Sequence, residues 1–330
     1  MQVNNHRIIG NSKLILEAIN EAKNIAIFHH VRPDGDCLGS QAGLAEIIKE
    51  NYPSKNVFII GDNENNFNFL NWKFDDQTKF DFENSLAIVV DVSDPKRIFN
   101  AEFFLDKRFT KRARIDHHEV GENELYDYSW NDPDAAAAAE LVAQLAIDNN
   151  LKITKEAATK TYLGIMTDSG RYMYSKNRVA TQYYGSTLLK TNFDVQYLYE
   201  NLYKKTFKDL QFSGYVYSNF KKDGRVLHFS VTDEVLKQFS YKPNEAANFN
   251  NLLANIDDNH VWVFFVDNQD GTYRVRIRSN GPEIHDIAAQ FKGGGHAWAS
   301  GATLENYEVE KPLLLKALNE KIEDYLNSKK

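Results

Sequence analysis

The sequence predicts an α/β protein. A mainly parallel sheet carries helices on both faces, and a smaller α/β domain lies across a cleft from it. Three observations lead there. Short, continuous apolar runs at 25–28, 57–60 and 86–90 have the length and composition of strands buried on both sides, and a shorter strand is expected at 113–115. Segments of helical period stand between and after them, and strands alternating with helices build parallel sheets. A polar and aromatic stretch near residue 200 then separates this pattern from a second one that is richer in strands. With 330 residues the chain has room for two cores.

In order, residues 11–23 place Leu14, Ile15, Ala18, Ile19 and Ala22 on one helical face and lead into the first strand. After Gly39-Ser40 the period is helical again, with Leu44, Ile47 and Ile48 together. The strand at 57–60 ends in Gly61-Asp62, and the Asn-, Asp- and Phe-rich stretch to Phe82 has no clear period. Strands at 86–90 and 113–115 end in Asp91 and in Asp116-His117-His118. Helices are expected at 135–147, 155–165 and 179–190. These divisions give a first domain at 1–190, a linker at 191–210 and a second domain at 211–330. In the second domain, strands at 226–231, 261–266 and 273–278 are expected, the last two joined through Asn268-Gln269-Asp270-Gly271 as a hairpin. Helices are expected from Asp233, at 284–290 and from Val309.

Composition narrows the function. The 26% charged and 42% apolar residues describe a soluble globular chain. A net charge of −7 argues against coating long nucleic acid, which needs a broad basic face, but leaves room for a small anion held locally. The single cysteine, Cys37, rules out an internal disulfide framework and fits a reducing cytoplasm. No apolar run has the length of a membrane span, so a cytoplasmic protein without a membrane partner is expected.

The chemistry concentrates where strands end. Behind the first strand come His30, Asp34 and Asp36, spaced by a Pro-Asp-Gly turn. Ligands of open α/β sheets bind at the carboxyl ends of strands, and oxygen with imidazole suits a hard or borderline divalent ion. Taken alone, Asp34 reads equally well as a helix cap. The recurrence decides the matter, because three separate strands finish in acidic or histidine residues. Carboxylates gathered at one sheet edge need a cation, since otherwise each raises the pKa of its neighbours. Asp168, at the close of a later helix, joins them.

These residues fall into a pattern. His30-x-x-Pro33-Asp34-x-Asp36-x-x-Gly39-Ser40, Asp91 with Arg97 downstream, Asp116-His117-His118 and Thr167-Asp168-Ser169-Gly170 resemble the four-motif signature of the DHH phosphoesterases. Arg276-Ile277-Arg278-Ser279 and Gly293-Gly294-Gly295-His296, followed by Ala299-Ser300-Gly301, resemble the domain associated with them. The resemblance spans nearly the whole chain and is nearest to the nanoRNase, pAp phosphatase and cyclic di-AMP or pApA phosphodiesterase branch.

It implies two Mn²⁺ ions, with Mg²⁺ or Co²⁺ as substitutes. One would be held by His30, Asp34 and Asp91, and the other by Asp36, Asp91, His117 and Asp168, with Asp91 shared. It also implies Asp116 as the partner orienting His117, and His118 as a donor facing the phosphate. Arg97, Arg278, Ser279, Gly293, Gly294, Gly295 and His296 would contact substrate: arginine as a fork on phosphate, glycines as backbone an anion can approach. The implied substrates are short oligoribonucleotides, dinucleotides such as pApA, cyclic di-AMP and pAp, and a homodimer is common among such proteins. Ala135–Ala139 stands where hydroxyl residues are usual, so a helix cap or polar contact is expected to be missing there. A pyrophosphatase or polyphosphatase, or a nucleotide sensor without turnover, are the alternative readings.

Overall fold

The computed structural model of the chain describes residues 8–119, 121, 123–173 and 177–329. It divides into two compact units, Met1–Lys204 and Lys205–Lys330. In the first, strands β1 (Asn24–Phe28), β2 (Asn56–Ile60), β3 (Ser85–Val90), β4 (Lys111–Asp116) and β5 (Tyr128–Asn131) form one five-stranded sheet in the order β2-β1-β3-β4-β5. All its pairings are parallel. The second strand lies on one side of β1 and the third on the other. The loops leaving β1 and β3 therefore diverge, and a crevice opens between them at the carboxyl edge. The register puts Phe28 beside Val89 and Val90 beside Ile115, so the residues after β1, β3 and β4 emerge at one level.

The helices of this unit are α1 (Ser12–Glu21), α2 (Gly35–Asn51), α3 (Ala101–Phe104), α4 (Ala138–Asp148), α5 (Lys155–Asp168), α6 (Arg178–Leu189) and α7 (Val195–Leu202). Ile25, Ile27, Ile88 and Ile115 on one sheet face pack against α1, α2 and α4. Ala26, Phe28, Ala87 and Val89 on the other meet Phe80, Phe104, Phe109 and Tyr126. From the phenylalanine-rich stretch without a period, Phe80 and Phe82 thus join the cover of this sheet face, while Phe67, Phe69 and Trp72 pack with the cluster of α5 and α7. Its rings meet edge to face, as with Phe58 and Phe80 at 5.2 Å, an arrangement that needs no regular element.

One helix pair sets the geometry of the crevice. Gly35, Gly39 and Gly43 recur every four residues along α2 and turn toward α5. A Cβ on Gly39 would stand 2.5 Å from the Lys160 carbonyl oxygen, and one on Gly164 would stand 2.5 Å from the Ala139 Cβ and 3.0 Å from Asp36 Oδ1. Only glycine permits this approach. It brings the first turn of α2 beside the end of α5.

In the second unit, β6 (Lys221–Asp223), β7 (Val226–Val231), β8 (Val261–Asp267), β9 (Tyr273–Ser279), β10 (Gly294–His296) and β11 (Ala299–Leu304) make a six-stranded sheet in the order β10-β11-β9-β8-β7-β6. Only β7 and β8 run parallel. The helices are α8 (Phe207–Asn219), α9 (Asp233–Phe239), α10 (Pro243–Ala246), α11 (His285–Gln290) and α12 (Tyr307–Ser328). Alternation along the strands feeds two cores. Val263, Phe265, Val275 and Ile277 pack with α11 and α12 on one face, and Leu227, Phe229, Trp262 and Phe264 with α8, α9 and the 247–253 turn on the other. Among the described residues, no helix is long and apolar enough to cross a membrane.

Candidate metal centre

The carboxyl edge of the parallel sheet gathers His30, Asp34, Asp36, Asp91, His117, His118 and Asp168. Each arrives by a distinct local device.

His30 follows β1 in a bridge to Ile98, and Val31 N–H donates to the Arg97 carbonyl at 2.7 Å. Arg97 itself is exposed. The His30 ring donates from Nδ1 to the Val31 carbonyl at 2.9 Å. This leaves Nε2 facing Asp34 Oδ2 at 3.7 Å and Asp91 Oδ2 at 3.4 Å. Asp34 satisfies both readings of its position. Its Oδ1 caps α2, accepting from Asp36 and Cys37 N–H at 3.1 Å each, while Oδ2 turns to His30. Cys37 completes the cap with Sγ accepting from Asp34 N–H, and burial, then Asp34, push its thiol up to about 12. Its Sγ stands with His30, Asp34 and Asp91 in a group whose ligand atoms all lie within 4.8 Å of one another.

Asp91 ends β3 in the left-handed region, φ 57°, a conformation that aspartate tolerates at a cost of about 1 kcal/mol. It is 4% exposed, and Oδ1 accepts no hydrogen bond. His117 Nδ1 faces the Ala135 carbonyl at 3.4 Å, so its Nε2 is surrounded by Asp36 Oδ2 at 3.7 Å, Asp91 Oδ1 at 3.4 Å and Asp168 Oδ2 at 3.3 Å. Asp91 thus presents one oxygen to His30 and the other to His117.

These separations carry chemical information. A good hydrogen bond is no longer than about 3.2 Å. Two ligand atoms on one small divalent ion, each about 2.1 Å from it, lie about 3.0–3.5 Å apart. The observed spacings fit ligands around a shared ion better than they fit donors and acceptors. The buried, unsatisfied Asp91 Oδ1 supports the same conclusion, as does the imidazole and carboxylate donor set. The charges are also unsettled without a cation. Burial, then Asp91 and Asp168, hold Asp36 well above the usual carboxylate range. Burial, reinforced by Asp91 and Asp34, pushes Asp168 up to about 6. Burial opposes charge on His117 and His30, but the carboxylates around them outweigh it and raise both.

One expectation needs correction. Asp116 does not orient His117. Its Oδ1 accepts from His118 Nδ1 at 2.8 Å and from His118 N–H at 3.2 Å. Along an extended backbone, residues two apart share a side and the one between faces away, so Asp116 and His118 are partners and His117 points elsewhere. The triple glycine lies at the edge of the second unit's sheet. Gly294–His296 is the edge strand β10, paired to β11. Gly293 is packed against Gly301 and Ala302, Gly295 has φ 133°, and Gly294 faces open space. The side chain of His296 lies outside the described residues. Arg278 extends from β9 with Nη1 donating to the Ile277 and Ser300 carbonyls at 2.9 and 3.3 Å. Ser279 turns to the opposite face, 3% exposed, with Oγ accepting from Gly281 N–H.

The alanine run has an outcome that side chains could not announce. Ala137 caps α4 without a side-chain hydrogen bond. In place of a hydroxyl, Asp36 arrives from α2: Oδ2 accepts from Ala138 N–H at 2.7 Å and Oδ1 from Ala139 N–H at 2.8 Å. The start of α4 thereby fixes Asp36 with two backbone donors and a favourable helix dipole. Asn131 is likewise unexpected. Fully buried, it donates from Nδ2 to the Asp116 and His118 carbonyls at 2.9 Å each and braces the turn that carries both histidines. An asparagine closing the short strand Tyr128–Asn131 is its only signal.

Comparison with known proteins agrees with this geometry. The model of the DHH family, N-terminal domain, matches residues 24–165, and that of the DHHA1 domain matches 223–324. The bifunctional oligoribonuclease and PAP phosphatase NrnA of Mycoplasma genitalium is 39% identical over 297 residues, covering 88% of this chain and 93% of that protein. The protein of the same name from Bacillus subtilis is 32% identical over 308 residues, covering 91% and 95%. Among solved structures, an exopolyphosphatase-related protein from Bacteroides fragilis superposes with a TM-score of 0.80 at 25% identity, covering 96% of this chain and 97% of that one. The chain belongs to the DHH family, with a DHHA1 domain following its DHH domain.

Proposed function

We propose that this chain is a phosphoesterase dependent on two divalent cations, Mn²⁺ foremost, that hydrolyses short oligoribonucleotides and dinucleotides such as pApA, and also cyclic di-AMP and pAp, to mononucleotides in the cytoplasm. The observation that carries the reading is Asp91, buried with an unsatisfied Oδ1 between the Nε2 atoms of His30 and His117. The names of the relatives supply the substrate class.

In this reading His30, Asp34 and Asp91 hold one ion, and Asp36, Asp91, His117 and Asp168 the other. When bound, such a pair neutralises charge on the phosphoryl oxygens and lowers the pKa of the attacking water. The chain's own groups do the rest. Asp34 and Asp36 are preset by the caps they form with α2 and α4. Asp116 fixes His118 with the proton on Nδ1 toward its carboxylate, so that Nε2 is the atom that donates to substrate or leaving group. Arg97 steers the phosphate. The DHHA1 domain, which we assign to about 211–330, contributes recognition through Arg278, the backbone of Gly293–Gly295 and His296, with Ser279 shaping the turn beneath Arg278.

The test is incubation of purified protein and Mn²⁺ with pApA, cyclic di-AMP, pAp, a five-residue oligoribonucleotide and pyrophosphate, with products read by chromatography. Cleavage of the nucleotide substrates is expected. Cleavage of pyrophosphate alone overturns the assignment, and binding without cleavage converts the protein into a sensor.

A further inference from the structure

Glu140 is a buried carboxylate that takes no place among the proposed ligands. It stands on the first turn of α4 and is 3% exposed. Its Oε2 accepts from Ala136 N–H at 2.9 Å and lies 2.9 Å from Thr181 Oγ1 on α6. That hydroxyl also stands 3.0 Å from the Asn177 carbonyl, just before α6 begins. A glutamate at this helical position ordinarily reaches back to the N–H of the capping residue, here Ala137. Glu140 reaches one residue further, into the loop before the helix.

What it holds there is a peptide group that also faces the centre. The Ala135 carbonyl and the Ala136 N–H belong to one planar trans unit, so they point in opposite directions and turn together. The N–H end is bound to Glu140, and the carbonyl end faces His117 Nδ1 at 3.4 Å. Two residues on, Ala138 and Ala139 N–H bind the Asp36 carboxylate. The alanine run thus reaches Asp36 and His117 through its backbone alone, and Glu140 sets the tilt of the peptide on the His117 side. We propose that Glu140 is a positioning residue for the second ion. By holding the Ala135–Ala136 peptide it keeps a carbonyl before His117 Nδ1, which places the ring proton on that nitrogen and leaves Nε2 to the cation. Glu140 thereby fills, through a peptide, the orienting role that Asp116 does not. This rests on the two-cation reading above and deepens it by naming what sets the tautomer of one ligand.

The test compares full-length wild type with Glu140→Gln, Glu140→Ala, Glu140→Asp and Ile19→Val, the last a core change on α1 that lowers stability away from the loop. Mn²⁺ binding is titrated, and the Co²⁺-loaded proteins are studied by proton NMR in water. There the exchangeable ring N–H of a histidine on the ion gives a strongly shifted line, assigned to His117 by its loss in His117→Gln. Glu140→Gln keeps an acceptor oxygen of the same reach and should retain both the line and the wild-type Mn²⁺ midpoint. Glu140→Ala removes the acceptor and Glu140→Asp withdraws it by one methylene. Each should broaden or lose the line through exchange with water and raise the Mn²⁺ midpoint about tenfold. If the alanine variant fails to fold, the aspartate variant carries the comparison. Ile19→Val should lower Tm and leave the line and the midpoint alone. An unchanged line and midpoint in Glu140→Ala or Glu140→Asp overturns the proposal. So does their loss in Glu140→Gln, where the acceptor is intact, or in Ile19→Val, where only stability has fallen. Wild type that takes up no divalent cation overturns the two-cation reading instead.

Discussion

Replacing Gly39 by alanine tests how the two halves of the centre are brought together. The new Cβ would stand 2.5 Å from the Lys160 carbonyl oxygen and 2.9 Å from Gly164 N, both backbone atoms of α5. Neither can swing aside, so the helices must part by roughly 0.9 Å to reach an ordinary contact of 3.4 Å. Overpacking of this kind costs about 1–3 kcal/mol, while glycine to alanine inside a helix returns about 1 kcal/mol. The net loss is about 0–2 kcal/mol, or up to roughly 8 °C in Tm for a unit of this size. The same displacement separates Asp36, one turn before Gly39, from Asp168, one turn after Gly164. The midpoint for Mn²⁺ binding should therefore rise about tenfold, the scale seen when supports of metal ligands are disturbed. Gly214 on α8 is the control. Its Cβ would meet nothing within 4 Å, so Gly214→Ala should raise Tm slightly and leave the metal midpoint alone. Thermal unfolding in EDTA, followed by Mn²⁺ titration, measures both. If Gly39→Ala behaves like Gly214→Ala, close helix approach is not what assembles the site.

Asp91→Asn should keep the fold in EDTA, lose at least a thousandfold in kcat and reduce bound metal by mass spectrometry. Two tightly held ions in that variant would refute the bridging role. Asp116→Asn should lower kcat tenfold or more while bound metal is retained, because it releases His118 and none of the proposed ligands. A fall in metal content instead would place Asp116 among the ligands. His228 tests the second unit. Burial, then Lys311, pushes it down to about 4 from 6.5, so the folded state stays neutral where the unfolded chain takes up a proton. Its contribution is complete above pH 6.5 and is lost as the pH falls toward 4, by up to about 3 kcal/mol, less where solvent reaches the ring. His228→Leu should therefore lose less stability than wild type between pH 7 and pH 5, read from urea midpoints. An identical decline in both proteins would count against this account.

The sequence by itself determined the first four strands, the three long strands of the second unit and most of the helices, the ends of the strands as the place of chemistry, and the donor types; it did not announce β5, β6, β10 or β11. Apolar runs and acidic or histidine ends are properties of consecutive residues, and those are legible locally. His30, Asp34, Asp36, Asp91, Asp168 and the run Asp116-His117-His118 could be named in this way, and the family resemblance singled out His117 within that run. Other features belong to no single segment. The close approach of α2 and α5 required two glycines from distant positions to face each other. Asp36 found its donors in the backbone of an alanine run whose side chains say nothing about polarity. The pairing of Asp116 with His118 followed from the direction of the extended backbone after β4. Tertiary structure decided these, because a hydrogen bond or a helix contact depends on where separate segments meet in space, and chain order records only which residues are neighbours in sequence.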